Sequence, residues 1–294
     1  MMRILTILLA AVVVFSPTPP AAEGNEFRVL TSFLPIYLFT QNVVGAAKGI
    51  TVEMMLPASL GCPHDYSLSP GDMKKIAAAD LFLANGLGME DFLGAPVGRA
   101  NPGIRVVETA SSVPPLQAGG GHGDVNPHTW VSPRNAILQV RAIEKTLSEA
   151  SPANGPIFHR NADAYVGRLT SLAREFDEAA RRFRNRNIVI FHNIFDYLAR
   201  DLRLTVVGRI EETPGQNPSA GEMQDLIRTI RERGAAAVFA ELQYPEKLAR
   251  TVAEEAGVPV RMLDPVSTGS TAPTSYEDAM RRNLRTLTEA LGTR

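Results

Sequence analysis

One long helical stretch runs from Asn154 to Arg186 and reads NGPIFHRNADAYVGRLTSLAREFDEAARRFRNR. Its apolar side chains recur at steps of three or four residues, as on one face of an α-helix. This stripe comprises Phe158, Ala162, Tyr165, Leu169, Leu172, Phe176 and Ala179. A helix of about 30 residues would be about 45 Å long, which is more than one small domain needs. The stretch therefore predicts a rigid helix that joins two lobes.

On both sides of this helix, short apolar runs typical of strands alternate with helical patterns. The predicted strands begin near Phe27, Ile50, Asp80 and Ile104 before the helix, and near Asn187, Leu204, Ala235 and Val258 after it. Such alternation is typical of parallel sheets flanked by helices. We therefore expect an α/β fold with an N-terminal lobe over residues 23–152, a linking helix over 153–186 and a C-terminal lobe over 187–294.

The N-terminus has a different character. An apolar run from Ile4 to Phe15 follows the basic residue Arg3, and small residues and prolines follow the run. The run is too short to span a bilayer and is typical of a secretory signal peptide. We expect residues 1–22 to be removed near Ala22 and the mature chain to be periplasmic. Since no cysteine lies just after the run, we expect no lipid anchor.

The charge and composition of the chain exclude some classes of protein. The formal charge is −1, and 21% of the residues are charged. There is no basic face of the kind that binds nucleic acid, so we expect no nucleic-acid partner. Cys62 is the single cysteine, which excludes an intrachain disulfide. We expect a soluble monomer.

Two short motifs have the same order of residues, proline, histidine and then an aromatic residue, and together they indicate a metal site. His64 lies in Pro-His-Asp-Tyr and His128 in Pro-His-Thr-Trp, and each motif is followed by Ser-Pro. Ser-Pro is an N-cap residue followed by a residue suited to the first helical position, so each histidine lies in a stiff loop that leads into a helix. Imidazole is the commonest protein metal ligand. The repeated frame predicts a transition-metal site.

Two further candidate ligands lie directly after predicted strands. His192 follows Phe191, and Asp264 follows Leu263. In open α/β sheets, ligands bind outside the carboxyl ends of the strands. Taken alone, either residue is typical of a hydrogen-bonded loop, and only the joint pattern favours a metal. Three imidazoles and one carboxylate in the interlobe cleft would suit zinc, and also manganese or iron.

Several other residues belong to the same hypothesis. Glu241 and Glu211 also follow strands, and we expect them to orient histidine N–H groups from behind the ligands. His122 lies in a glycine-rich run and is expected to touch the metal only transiently. His159, in the long helix, has no partner motif and is expected to be an ordinary helix residue.

Seven segments together resemble the zinc/manganese solute-binding proteins of ABC transporters, the cluster 9 family. They are Gly61–Tyr66 with Ser69–Asp72, Asn85–Glu90, Asn126–Pro133, Phe191–Tyr197, Gly215–Ala220, Val238–Glu241 and Leu263–Pro265. The resemblance covers nearly the whole mature chain in order. It implies two α/β lobes joined by a rigid helix, with one metal in the cleft, and delivery of that metal to an ABC permease.

The resemblance also implies the ligand set His64, His128, His192 and Asp264. Members with histidine at the position of His192 are mostly zinc proteins, and those with glutamate there are mostly manganese proteins. The expected metal is therefore Zn²⁺, with Mn²⁺ or Fe²⁺ as the alternative.

The chain departs from the family pattern at two places. The family usually has an acidic residue where Cys62 stands, so this thiol is an inert small residue, a group behind the ligands or a soft ligand. Many zinc members carry a long histidine-rich loop before the second histidine, whereas this chain has only His122 there. We expect one tight site and no auxiliary metal reservoir.

Three other functions compete with metal capture. A secreted zinc hydrolase would use three histidines and a water, with Glu241 or Glu211 as general base. There is no His-Glu-x-x-His motif, and Asp264 would fill the position that a catalytic site keeps open. A surface adhesin and a chaperone that passes metal to another exported protein are the remaining alternatives. We therefore expect a binding protein and no enzyme.

Overall fold

Two parallel four-stranded sheets form the framework of the computed structural model, which describes residues 26–61, 63, 66–118, 125–211, 216–242 and 246–292. The first sheet has the order β2-β1-β3-β4. Its strands are β1 (Phe27–Thr31), β2 (Ile50–Met54), β3 (Leu81–Ala84) and β4 (Arg105–Glu108). All of its strand pairs are parallel.

The second sheet repeats this winding, with the order β6-β5-β7-β8 and parallel pairs throughout. Its strands are β5 (Asn187–Ile190), β6 (Thr205–Arg209), β7 (Val238–Glu241) and β8 (Val260–Leu263). In both sheets the strand order reverses beside the first strand, between β1 and β3 and between β5 and β7. Such a reversal opens a crevice at the carboxyl ends of the two strands. The predicted α/β fold with two mainly parallel sheets is confirmed.

Helices cover the faces of both sheets. In the described part of the chain they are α1 (Leu34–Val44), α2 (Pro70–Ala78), α3 (Gly94–Ala100), α4 (Pro133–Ala150), α5 (Gly155–Ala180), α6 (Asp196–Leu202), α7 (Ala220–Arg233), α8 (Glu246–Ala256) and α9 (Ser275–Leu291). Within the same ranges, no helix is long and apolar enough to cross a membrane.

Both Ser-Pro motifs cap helices, as predicted. The Ser69 hydroxyl accepts from the N–H of Asp72 at the start of α2, and the Asp72 carboxylate accepts from the N–H of Ser69 in return. Ser132 caps α4 by accepting from the N–H of Asn135. Each cap satisfies amide groups that the first helical turn leaves without partners.

The long helix α5 lies between the two sheets in the chain and has 26 residues, which makes it about 39 Å long. The helical range predicted over 153–186 was too long, because the helix ends at Ala180. Arg186 donates from Nη2 to the carbonyl of Ala180 at 2.6 Å and from Nη1 to the carbonyl of Leu202 at 2.8 Å. These bonds turn the chain back toward β5.

The larger apolar core continues from the first sheet to the second. It contains buried residues of β1 and β3, the inward stripe of α5, and Ile188, Ile190 and Phe239 of the second sheet. The alternating residues Val189 and Val238 face the other side, where a smaller core lies. Alternation is the expected consequence of the two-residue period of a strand.

The C-terminal helix α9 is fastened to α5 by two ion pairs. Arg168 pairs with Glu277 at 2.9 Å, and Glu175 pairs with Arg281 at 3.1 Å. Since α9 follows β8 in the chain, these contacts tie the second lobe to the linking helix.

Candidate metal centre

His192 lies at the reversal point of the second sheet, just beyond the carboxyl end of β5. Its side chain is fully buried, and its Nδ1 lies 2.6 Å from Oε1 of Glu241, the last residue of β7. The carboxylate accepts, so Nδ1 carries the proton. This tautomer leaves Nε2 as the nitrogen whose lone pair can bind a metal.

Glu241 is itself a buried carboxyl, and its environment is unusual. Burial raises the pKa of Glu241, and the hydrogen bonds that it accepts from the ring and the backbone N–H of His192 oppose this effect. Glu211 is also buried. Its negative charge favours the protonated form of Glu241, and its backbone N–H donates to Phe191 at 2.8 Å. The two acidic residues predicted to lie behind the ligands therefore both lie next to the His192 segment.

His128 lies in the loop before α4 and is fully buried. Asn126 Oδ1 accepts from the backbone N–H of His128 at 2.9 Å and lies 2.9 Å from its ring Nδ1. Because the same oxygen accepts a backbone N–H, the ring nitrogen facing it must also be a donor. His128 is thus held in the same tautomer as His192, with Nε2 as the acceptor nitrogen.

Asn126 connects this loop to the second lobe. Its Nδ2 donates to the carbonyl of Asn193 at 2.8 Å and to Asp196 Oδ2 at 3.2 Å. Asn193 directly follows His192, so one amide group positions the first histidine and contacts the segment of the second. The role of Asn126 in positioning His128 was not predicted from the sequence. The signal that could have identified it is the Asn-Pro-His spacing, because an asparagine often bonds the backbone N–H two residues ahead.

The two rings contact each other directly. The ring centroids of His128 and His192 are 5.2 Å apart, and the ring planes are nearly perpendicular. Trp130 also lies beside His128, with ring centroids 5.4 Å apart. The structure therefore brings together one candidate ligand from each lobe.

Asp264 follows β8 and is only 8% exposed. Its Oδ1 accepts from the N–H of Val266 at 2.8 Å, and its Oδ2 accepts from Arg282 Nη2 at 3.0 Å. Val266 has φ of 60°, which is a strained conformation for a β-branched residue. Asp264 is connected to the His128 loop through Trp130, whose Nε1 donates to the carbonyl of Pro265 at 2.7 Å.

His64, Cys62 and His122 lie outside the described residues, so three of the predicted site residues are not placed. The end of the His64 loop is described, and there Tyr66 donates to Asp72 Oδ2 at 2.6 Å, which joins it to the cap of α2. Among the described side chains, no three from His, Cys, Asp and Glu are close enough to hold a metal ion by themselves. His159 is 65% exposed and pairs with Glu144 and Asp163 on the helix surface.

A second polar network supports the His128 loop from the first sheet. Asn85, directly after β3, donates from Nδ2 to the carbonyl of Pro127 at 2.8 Å and accepts from Thr129 at 3.1 Å and from Gln139 at 3.0 Å. The buried side-chain amide of Asn85 therefore holds the residues on both sides of His128 by hydrogen bonds. This role was missed because it depends on contacts between segments more than 40 residues apart.

Glu90 closes the turn that carries Asn85. Its two carboxylate oxygens accept from the backbone N–H groups of Asn85 at 2.8 Å and Gly86 at 2.9 Å. Burial raises the pKa of Glu90 to about 7, although the two N–H groups oppose this effect.

The raised pKa of Glu90 predicts a pH dependence of stability. Between its ordinary value of 4.5 and about 7, the folded state binds a proton that the unfolded state has lost. The contribution of Glu90 to the free energy of unfolding should therefore fall by about 3 kcal/mol as pH rises through this window, and stay level above it. Urea unfolding at a series of pH values would measure this slope. In Glu90→Gln that part of the slope should be lost. Equal slopes in wild type and Glu90→Gln would show that Glu90 does not cause the pH dependence.

Comparison with known proteins adds an independent line of evidence. Residues 29–290 match the family model described as "Zinc-uptake complex component A periplasmic". "Zinc-binding protein AdcA" of Streptococcus pyogenes serotype M6 is 30% identical over 294 residues, which cover 90% of this chain and 56% of that protein. "High-affinity zinc uptake system protein ZnuA" of Bacillus subtilis is 28% identical over 288 residues, which cover 92% of this chain and 89% of that protein.

Solved structures with the same fold are similar over most of their length. The SBP FpvC of Pseudomonas aeruginosa in complex with Mn²⁺ has a TM-score of 0.82 and 31% identity, covering 90% of this chain and 98% of that one. A ZnuA deletion mutant with zinc bound has a TM-score of 0.81 and 26% identity, covering 91% of this chain and 99% of that one. The chain spans little more than half the length of the AdcA relatives that it matches.

Proposed function

The chain belongs to the family of periplasmic A components of zinc-uptake complexes, and we propose that it captures a divalent transition metal, with zinc as its cargo. The observation that carries the proposal is the His128–His192 pair. The rings are 5.2 Å apart and come from different lobes. Each has its Nδ1 bound to an acceptor, Asn126 for one and Glu241 for the other. Such partners fix a histidine in the tautomer that binds a metal.

The proposed ligands are His64, His128, His192 and Asp264. Three neutral imidazoles and a carboxylate are a donor set that zinc binds well, and four protein ligands leave no position for a reacting water. A closed site of this kind suits capture and release, and for that reason we assign no catalysis to it. FpvC, whose fold this chain shares, was solved with Mn²⁺, which supports Mn²⁺ as an alternative cargo. Fe²⁺ is a further alternative for the same imidazole and carboxylate donors.

We also propose a compartment and a recipient for the metal. The chain acts outside the cytoplasm, in the periplasm after removal of residues 1–22, and passes its metal as a monomer to an ABC permease. The residue ranges 23–152, 153–186 and 187–294 serve as first lobe, connection and second lobe. The name of the zinc uptake relative supports transport of zinc, and the description of the family model supports the periplasm.

Elemental analysis and competitive metal titration of the mature protein test the proposal. We expect one zinc per chain, bound more tightly than manganese or iron. Tighter binding of manganese would preserve the capture function and change the cargo. The absence of any tight metal would refute the capture function.

Removing Asn126 should weaken zinc binding without removing a ligand. In Asn126→Ala the ring of His128 loses the acceptor that fixes its tautomer, and losses of this kind typically lower metal affinity about 10–100-fold. Competitive titration with a chromophoric chelator would measure the change. Asn161→Ala is a matched control, because Asn161 binds the carbonyl of Val43 at the far side of α1. Equal zinc affinity in wild type and Asn126→Ala would show that Asn126 does not position a ligand.

A further inference from the structure

Arg282 is an unassigned cation within the proposed site. Its Nη2 lies 3.0 Å from Asp264 Oδ2, and its side chain is 54% exposed. It extends from α9, whereas Asp264 follows β8. No role was predicted for this arginine, and the proposed cargo is also positively charged.

The position of Arg282 relative to Asp264 is fixed by its neighbour. Asn283 accepts from the backbone N–H of Asp264 at 2.8 Å and donates to its carbonyl at 2.7 Å. The ion pairs of α9 with α5 brace the helix from its other side. The start of the arginine side chain is therefore held beside the carboxylate.

The two oxygens of Asp264 have different partners. Oδ1 accepts from the N–H of Val266, and Oδ2 accepts from the guanidinium of Arg282. A carboxylate held at both oxygens cannot turn freely about its Cβ–Cγ bond. A positive group on Oδ2 also withdraws charge from that oxygen, which makes it the poorer of the two donors to a metal.

We infer that Arg282 is a positioning residue that restricts Asp264 to one-oxygen coordination and thereby favours zinc over manganese. The inference rests on the proposed function. Zinc is satisfied by four ligands in a tetrahedron, to which a carboxylate contributes one oxygen. Manganese prefers six mainly oxygen ligands, so it gains more than zinc from a second carboxylate oxygen. Withholding Oδ2 therefore penalises manganese more than zinc.

The test is the ratio of zinc to manganese affinity in wild type and Arg282→Ala, measured by competitive titration of the full mature chain. Removing the guanidinium frees Oδ2, so the manganese affinity should rise about tenfold more than the zinc affinity, and the preference for zinc should fall by the same factor. Arg285→Ala is the matched control, since it removes the same charge one turn along α9 from an exposed side chain that no hydrogen bond joins to Asp264. In Arg285→Ala the ratio of zinc affinity to manganese affinity should equal that of wild type.

Other outcomes overturn the inference. An equal rise in both affinities would mean that Arg282 acts only as a general positive charge. An equal fall in both would mean that it only holds the carboxylate in place. In either case wild type would still bind zinc tightly and the proposed function would stand, whereas a wild type that binds neither metal would overturn both proposals. Thermal unfolding of each variant checks the fold.

Discussion

Replacing His192 with alanine is expected to lower the affinity for zinc by about a hundredfold or more. Four-ligand zinc sites in proteins bind with roughly 10–16 kcal/mol. One ligand then accounts for about 3 kcal/mol, which corresponds to on the order of a hundredfold in affinity. The ring is buried, and its Nδ1 is held against Glu241.

The substitution also changes the state of Glu241. Without the ring, the buried carboxylate loses a hydrogen bond that now lowers its pKa, and burial is the largest cause of the raised pKa that remains. Glu241 should therefore take up a proton more readily, which removes negative charge from the site and weakens zinc binding further. His192→Ala with Glu241→Gln separates the two effects, because the amide cannot ionise.

Competitive titration with a chelator of known affinity measures the loss. His159→Ala is the control, because this histidine is exposed on the helix surface and contacts Glu144 and Asp163. Its zinc affinity should match wild type. A His192→Ala protein that is folded, by circular dichroism, and binds zinc as tightly as wild type would refute the assigned ligand set.

The largest effect on stability is expected from Trp130→Ala. The indole is fully buried, packs edge-on against Phe33 at 4.8 Å between centroids, and donates to the carbonyl of Pro265. The backbone carbonyl of Trp130, which the substitution retains, accepts from the hydroxyl of Tyr276 at 2.7 Å. Truncation of a buried aromatic side chain costs about 3–5 kcal/mol because it leaves a cavity. The free energy of unfolding should fall by at least that amount.

Trp130→Phe separates the packing from the hydrogen bond. Phenylalanine keeps most of the ring volume but leaves the carbonyl of Pro265 without its donor, which costs about 1–3 kcal/mol. Urea unfolding of wild type, Trp130→Ala and Trp130→Phe separates the cost of the cavity from the cost of the lost hydrogen bond. A loss below about 1 kcal/mol in Trp130→Ala would mean that the contact between the His128 loop and the Asp264 segment does not stabilise the fold.

Much of the fold could be predicted because its signals are local. The stripe of α5, the Ser-Pro caps of α2 and α4, and the strand–helix alternation each depend on residues close in sequence. The short helices α3 and α6 were missed because seven residues are too few to establish a helical period. The end of α5 was also missed, since the bonds from Arg186 that fix it come from beyond the helix.

In the candidate site, too, the residues that carry a local sequence signal could be predicted, and those that act through tertiary contacts could not. Placement of His192 and Glu241 at the carboxyl ends of strands followed from chain order and from the rule that ligands bind outside those ends. The hydrogen bonds of Asn126, Asn85 and Arg282 could not be predicted, because each joins segments that meet only through tertiary packing. Sequence patterns therefore identified the candidate ligands and Glu241, and the structure identified Asn126, Asn85 and Arg282 as further groups that position them.

Because one unbroken core includes α5 and parts of both sheets, the chain cannot be cut into two halves that each keep a complete interior. A fragment ending before α5 would expose the apolar surface that the helix covers, and a fragment beginning at β5 would expose one face of its own sheet. Neither half has a complete interior, so the lobes would not be interchangeable modules. Recombination between relatives should yield folded hybrids only where the crossover keeps both sides of this shared interior from the same parent.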